Sequence, residues 1–322
     1  MSLTCKLKEA GYSAAAIAGP TASGKTGLSL FAADRLGAEI ISCDSMQIYK
    51  GMDIGTAKAT PEERARVPHH MIDVCEIGES YSAADYARDA TLCAEDIIKR
   101  GRFPLFCGGT GLYLDAVMRG GYTASPGASE DLRAELLEYY NTHGADALYA
   151  MLCETDPISA EKIHKNNVKR VIRALEIAKS TGITKAEYDK ENSEYRGLSV
   201  FVVCLNFHNR DTLYSRIEQR VDEMIEAGLA DEVRLLSQNK DFIKNQTAVQ
   251  AIGYKELFPY IRGEASLAEC TDALKAATRR YAKRQLTWFT HREYTHVLYA
   301  DREDGTLKGQ DELAEEFFSL IK

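Results

Sequence analysis

The run Gly19-Pro20-Thr21-Ala22-Ser23-Gly24-Lys25-Thr26 satisfies G-x-x-x-x-G-K-[ST] at every fixed position. Residue types in this order suit one task. Glycines let the backbone curl until several N–H groups converge on a phosphate. A helix starting at the end of the run adds partial positive charge, Lys25 adds a full one, and the Thr26 hydroxyl can hold Mg²⁺. The plain alternative is a glycine-rich turn without a ligand. Context favours the phosphate, because an apolar run (Ala14 to Ala18) precedes the motif and Leu28, Phe31, Ala32 and Leu36 follow at helix spacing. The expected ligand is a di- or triphosphate. A nucleotide hydrolase would place an acid on another strand to organise metal and water. Here Phe103 to Cys107 leads into Gly108-Gly109-Thr110-Gly111 instead.

A carboxylate is expected to face this loop. Asp44, in Ile40-Ile-Ser-Cys-Asp44-Ser45, falls at the C-terminal end of the next strand, the edge of a parallel sheet where ligands bind. There it could accept a proton from a nucleophile or serve as an indirect metal ligand. It could equally be a turn or helix N-cap residue. Thr110 holds the matching place after another strand, between glycines that permit close backbone approach, with a hydroxyl able to donate to a ligand. Arg216 and Arg220 share one helix face and by themselves read as solvated.

The elements that must position these groups follow from the rest of the pattern. Apolar runs at Ala14–Ala18, Ala38–Cys43 and Phe103–Cys107 predict a parallel sheet covered by helices. Arg119 to Glu130 reads as a linker. Helical stripes follow, one of Leu132, Leu136, Leu137 and Tyr140, another of Val168, Val171, Ile172 and Leu175, the second capped by Asn167 and ended by Gly182. Buried strand character returns at Leu198 to Phe207, helices run from Asp211 to Trp288, and His296 to Ala300 suits a last strand. The expectation is an α/β core of residues 1–119 and 198–322, interrupted by a mostly helical insertion at 120–197.

Composition narrows the function. With 322 residues, 45% hydrophobic and 27% charged, the chain is globular in type and long enough for two domains. Leu198 to Phe207 falls short of the roughly 20 apolar residues that a membrane span needs. The leading Met-Ser-Leu-Thr-Cys-Lys has no signal-peptide core. Eight cysteines without a Cys-x-x-Cys pair read as packing residues, not as zinc ligands or a disulfide framework. A cytoplasmic monomer is expected. Forty basic against 48 acidic residues give a net charge of −8, which argues against wholesale coating of nucleic acid but allows basic patches. Lys169, Arg170 and Arg173 oppose the Val168/Val171 stripe, and Arg279, Arg280, Lys283 and Arg284 cluster in a stretch without acids. Either patch could meet RNA phosphates or simply be a solvated helix face.

Together these segments resemble the bacterial tRNA dimethylallyltransferase (tRNA isopentenyltransferase) family over nearly the whole chain. The phosphate loop, Pro68-His-His-Met-Ile-Asp73, Tyr81-Ser-Ala-Ala-Asp85, Gly108-Gly-Thr-Gly-Leu-Tyr113, Gln250-Ala-Ile-Gly-Tyr-Lys255 and Ala282-Lys-Arg-Gln-Leu-Thr-Trp288 carry the resemblance. Asp44-Ser-Met-Gln-Ile-Tyr-Lys-Gly-Met-Asp-Ile-Gly-Thr-Ala-Lys58 is its most specific block. The resemblance implies a P-loop NTPase-like sheet, Mg²⁺ held partly by Thr26, and a prenyl transfer. The dimethylallyl group would pass from its diphosphate to the exocyclic N6 amine of the adenosine 3′ to the anticodon, in tRNAs reading codons that begin with U. It further implies that Asp44 is the general base, that Thr110 contacts it and helps place the amine, and that Arg220 grips diphosphate with the loop.

On the same resemblance, Asp44, Ser45, Met46 and Gln47 recognise the target adenosine. Lys169, Arg170, Val171, Ile172 and Arg173, then Gln250, Ala251, Ile252, Gly253, Tyr254 and Lys255, and also Arg133, map to tRNA contacts. Tyr49, Tyr113 and Tyr254 read either as base-stacking or as core residues. Thr290 departs from the Arg that many relatives carry after Trp-Phe. Three rivals stand beside this reading: isopentenyl transfer to free adenine nucleotides, a small-molecule kinase consuming ATP, and an RNA-binding module with a vestigial loop. The insertion and the Gln250–Lys255 block favour tRNA, because a free nucleotide needs no such surface.

Overall fold

Apolar residues buried on both faces of Ala14–Ala18 and Ala38–Cys43 begin the sheet that the apolar runs predict. In the computed structural model, which describes residues 2–121, 130–192 and 194–321, β1 (Ala14–Ala18), β2 (Ala38–Cys43), β3 (His69–His70), β4 (Phe103–Gly108), β5 (Val200–Asn206) and β6 (Thr295–Tyr299) pair in parallel. Their order is β3-β2-β4-β1-β5-β6. In this ladder Gly108 lies abreast of both Ala18 and Cys43. Gly19, Gly109 and Asp44 therefore leave the sheet together, at one edge.

The chain divides into two compact units, residues 1–118 with 197–322 and residues 119–196. In the first, the helix Lys25–Leu36 starts after Gly24 (φ 92°) and stops at Gly37 (φ 61°), both left-handed, and buries Leu28, Ala32, Ala33 and Leu36. The long helix Leu267–Thr290 opens with a reciprocal Ser266/Glu269 cap that satisfies backbone donors at its first turn. A second apolar cluster gathers Tyr49, Met52, Phe242, Tyr254 and Leu257. The helices Leu3–Glu9 and Gln310–Ser319 and the two-residue β3 have no counterpart in the sequence reading. Leu3–Glu9 and β3 are too short for a hydrophobic period to repeat; Gln310–Ser319 does repeat one, in Leu313 and Phe317 and in Ala314 and Phe318.

The unit 119–196 is helical, with helices at Glu130–Thr155, Pro157–Lys162, Val168–Thr181 and Lys185–Glu191. Residues 122–129 of the expected linker lie outside the described residues. Leu136 joins Leu148, Leu152, Val171 and Leu175 in the core, but Leu137 is exposed. The buried stripe of the helix Glu130–Thr155 runs through Leu136, Leu148 and Leu152 and leaves Leu137 on the solvent side. Gly144 (φ 82°) interrupts the first helix. Gly182 ends the Val168–Thr181 helix in the left-handed conformation, while Asn167 stands at its start without a side-chain cap bond.

A buried charge on β2 ties the edge strand β3 to it. Glu39 on β2 accepts from Arg100 at two positions, one at 2.8 Å, and hydrogen-bonds His70 Nε2 of β3 at 2.7 Å. The Arg100 bonds above all, with His70 assisting, hold its carboxyl at about 2 against an ordinary 4.5. A depressed carboxylate stabilises the fold above its unfolded value and loses that contribution as pH falls through the folded one. Glu39→Gln is therefore expected to cost about 1–3 kcal/mol at pH 7 and progressively less from pH 4.5 toward pH 2, measured by urea unfolding. Equal midpoints at pH 7 would contradict this role.

Candidate active site

The loops leaving β1, β2 and β4 line a cavity of about 910 Å³. Thr21 to Thr26, Asp44 to Gln47, Gly108 and Gly109 stand along it. Arg216 and Arg220 reach it from the helix Arg210–Glu226, and Tyr281, Arg284 and Gln285 from Leu267–Thr290.

The phosphate loop is held in a shape that few residues tolerate. A side chain at Gly19 would meet the Leu205 carbonyl at 2.9 Å. Ala22 adopts φ 62° without being glycine, and Arg216 Nε donates to its carbonyl at 2.7 Å. Lys25 Nζ donates to the Pro20 carbonyl at 2.5 Å. Burial, with Arg220 nearby, lowers the Lys25 ammonium to about 8 in spite of the thiol of Cys107 and the carboxylate of Asp44. Burial also pulls Arg216 and Arg220 downward, though a guanidinium stays charged at any working pH. Arg220 Nε and Ser23 Oγ are buried and meet no hydrogen-bond partner among the described residues. Each such orphan costs about 1–3 kcal/mol, which a multiply charged oxygen ligand would relieve.

Asp44 is a turn residue, as one of its two readings had it, and it also stands at the cavity. Its Oδ1 accepts the Met46 N–H at 2.9 Å, shaping the turn, and the residue lines the cavity. Thr110 braces that turn, its hydroxyl accepting the Ser45 N–H at 3.1 Å and its N–H donating to the Cys43 carbonyl at 3.1 Å. The flanking glycines serve packing within the protein. A Cβ at Gly109 would lie 2.0 Å from Gln285 Nε2, and one at Gly111 would lie 2.2 Å from the Trp288 indole.

Several residues expected to touch RNA are otherwise engaged. Gln47 accepts from Ser42 at 2.7 Å and donates to the Thr56 and Ala57 carbonyls at 3.1 and 3.2 Å, so its amide is consumed in holding the following loop. Tyr254 is fully buried, and its hydroxyl donates to Glu232 at 2.7 Å. Tyr49 and Tyr113 are buried as well, which removes all three tyrosines as stacking surfaces. Ala251 and Gly253 are buried, Ile252 is half-buried, and only Gln250 and Lys255 of that block are exposed. Val171 and Ile172 face the core of their own unit. Arg133 holds Glu176 with two bonds, at 2.6 and 3.0 Å, and Arg173 joins them at 3.3 Å. Lys169 and Arg170 remain exposed. The Thr290 hydroxyl donates to the Leu286 carbonyl at 2.8 Å.

Two polar groups escaped the sequence reading. Glu232 gathers the N–H groups of Asp53, Ile54 and Gly55 at 2.8–3.1 Å, fixing the loop that borders the cavity. Its partners lie nearly 180 residues away, so no local spacing reveals it. Gln285 accepts the Thr21 N–H and donates to the Gly109 carbonyl. A signal existed for that one: it is a polar residue at the register of the buried stripe Leu274, Thr278, Ala282, Phe289.

Parallel topology and the phosphate-loop motif define a P-loop NTPase-like α/β protein. Comparison with known proteins narrows the class. A family model described as IPP transferase matches residues 47–292. A tRNA dimethylallyltransferase of Halalkalibacterium halodurans is 48% identical, covering 90% of this chain and 91% of the relative. The crystal structure of full-length tRNA isopentenylpyrophosphate transferase from Bacillus halodurans superposes with a TM-score of 0.69 at 44% identity, covering 95% of this chain and 94% of that one. A eukaryotic dimethylallyltransferase acting on tRNA gives a TM-score of 0.76 at 30% identity, over 92% and 74% of the two chains. The chain belongs to the IPP transferase family.

An ammonium that titrates near 8 predicts a pH signature. The advantage of the wild type over Lys25→Met in binding pyrophosphate is expected to be about 10–100-fold at pH 7 and to shrink as pH rises past 8, read by calorimetry. A ratio independent of pH would show that Lys25 does not meet the anion.

Proposed function

We propose that this chain transfers a dimethylallyl group from dimethylallyl diphosphate to the N6 amine of the adenosine 3′ to the anticodon in tRNAs reading codons that begin with U. The observation that carries the reading is one cavity lined by the phosphate loop, by Asp44 and by Arg220, whose Nε has no partner among the described residues. The donor's diphosphate sits in the loop. As the carbon–oxygen bond breaks, Lys25, Arg220 and the backbone N–H groups take up the charge left on pyrophosphate. The adenosine nitrogen attacks the freed carbon, and Asp44 accepts the proton that the amine loses. Thr110 keeps the Asp44–Ser45 turn in place while it does so.

Mg²⁺ fits this arrangement only with help from the substrate. Among the described residues no group of three His, Cys, Asp or Glu could hold a metal. Thr26, phosphate oxygens and water would hold it, as is usual for this ion, with Asp44 acting indirectly. When bound, it supplies neutralising charge to the leaving diphosphate.

Exposed Lys169 and Arg170 in one unit, and exposed Arg280, Lys283, Arg284, Gln250 and Lys255 in the other, are the proposed tRNA contacts. An adenosine must leave the anticodon stack to reach Asp44, at a cost that loop bases bear more easily than paired ones. No helix among the described residues is long and apolar enough to cross a membrane. A monomer acting in the cytoplasm is the simplest setting for this chemistry.

Asp44→Asn keeps the turn's acceptor and removes the base. Its transfer rate to an anticodon stem-loop is expected to fall about 10²–10⁴-fold, with RNA binding changed less than about threefold. Transfer at the wild-type rate would remove Asp44 from the chemistry. Labelling of AMP or ATP but not RNA would replace the tRNA substrate with a free nucleotide.

A further inference from the structure

We infer that Gln285 is the positioning residue that sets the separation between prenyl donor and acceptor, an inference that rests on the proposed transfer. Gln285 is 5% exposed, on the helix face that also buries Ala282, Leu286 and Phe289. Its Oε1 accepts the Thr21 N–H at 2.9 Å and its Nε2 donates to the Gly109 carbonyl at 3.1 Å. Thr21 belongs to the loop that holds the diphosphate. Gly109 precedes Thr110, whose hydroxyl holds Ser45 beside Asp44. One side chain thus joins the donor's anchor to the acceptor's anchor.

The chemistry of the position explains why an amide stands there. The Thr21 N–H needs an acceptor and the Gly109 carbonyl needs a donor, so the group must offer both. It must also be neutral. A carboxylate would repel the Gly109 carbonyl and add negative charge beside the leaving diphosphate, whereas an ammonium or guanidinium could not accept from Thr21. Gly109 has no side chain to push the amide away, since a Cβ there would lie 2.0 Å from Nε2. Trp288 closes on Gly111 in the same manner, so this helix fixes the Thr110 turn from both sides.

The transfer exchanges one bond for another: carbon–oxygen breaks, nitrogen–carbon forms, and the amine proton passes to Asp44. Such a displacement needs its reacting atoms about 3–3.5 Å apart, and a misplacement of about 1 Å costs on the order of 100-fold in rate. Slack between the two anchors would lower the rate within the bound complex and leave each partner's affinity intact.

Single-turnover transfer with saturating dimethylallyl diphosphate and anticodon stem-loop RNA tests this, alongside separate binding of pyrophosphate and of RNA. Gln285→Leu is expected to slow transfer about 10–100-fold, with both affinities within about threefold of the wild type. Gln285→Glu adds a pH profile. Its protonated carboxyl accepts from Thr21 and donates to Gly109 as the amide does, so its rate relative to wild type should rise as pH falls. Wild-type transfer by the Leu variant, a loss expressed wholly as weaker pyrophosphate binding, or a flat profile for the Glu variant would overturn the assignment. If the Leu variant fails to fold, the Glu profile decides. Absence of transfer by the wild type would defeat the functional reading itself, and the role of Gln285 with it.

Discussion

The hydrogen-bond register between β1, β4 and β2 is the constraint on which the rest of the site depends. Because Ala18, Gly108 and Cys43 lie abreast, the phosphate loop, the Thr110 turn and Asp44 emerge next to one another. A slip of one residue would turn each strand's side chains to the opposite face and scatter the three loops. The ladder is protected against that slip by burial on both faces, where an error would set each side chain against a covering element that it does not fit.

Electrostatics then separates the cavity into two tasks. Lys25, Arg216 and Arg220 bring positive charge where burial makes it costly; Lys25 donates to the Pro20 carbonyl and Arg216 to that of Ala22, while Arg220 Nε meets no partner among the described residues. Asp44 brings the opposite charge at the end of the next strand. Low dielectric strengthens both, so a polyanion is drawn to one side and an amine losing a proton to the other. The acid that a nucleotide hydrolase would use to direct water has no counterpart on β4, and the amide of Gln285 spans that gap instead. Such a site is suited to holding pyrophosphate as a leaving group while a nucleophile other than water approaches.

Much of this was legible in the amino-acid sequence because the relevant information is local. The phosphate loop is eight contiguous residues, β1, β2 and β4 are unbroken apolar runs, and Gly182 marks a helix end by its own conformational freedom. Asp44 was visible as the residue just beyond a strand, although only the structure shows that it shapes the turn and faces the cavity at once. What stayed hidden depends on partners far away in the chain. Glu232 is one acid among many until the loop at Asp53–Gly55 folds onto it, and Gln47 has a free-looking amide until Ser42, Thr56 and Ala57 take it up. Tyr254 misled for the same reason, since an aromatic ring suits a base or a core equally well until Glu232 claims its hydroxyl. On the basic helix at Val168–Thr181 the charge pattern alone could not tell exposed Lys169 and Arg170 from Arg173, which is spent on buried Glu176.

The central claim is that pyrophosphate departs from the loop as carbon joins an RNA nitrogen. The most direct measurement incubates the protein with tRNA, dimethylallyl diphosphate and Mg²⁺, then compares released pyrophosphate with nucleosides resolved by mass spectrometry. One adenosine beside the anticodon gaining a single five-carbon prenyl unit, matched by an equal amount of pyrophosphate, is the predicted result. Pyrophosphate released without a modified nucleoside, or consumption of ATP with the donor untouched, would contradict it.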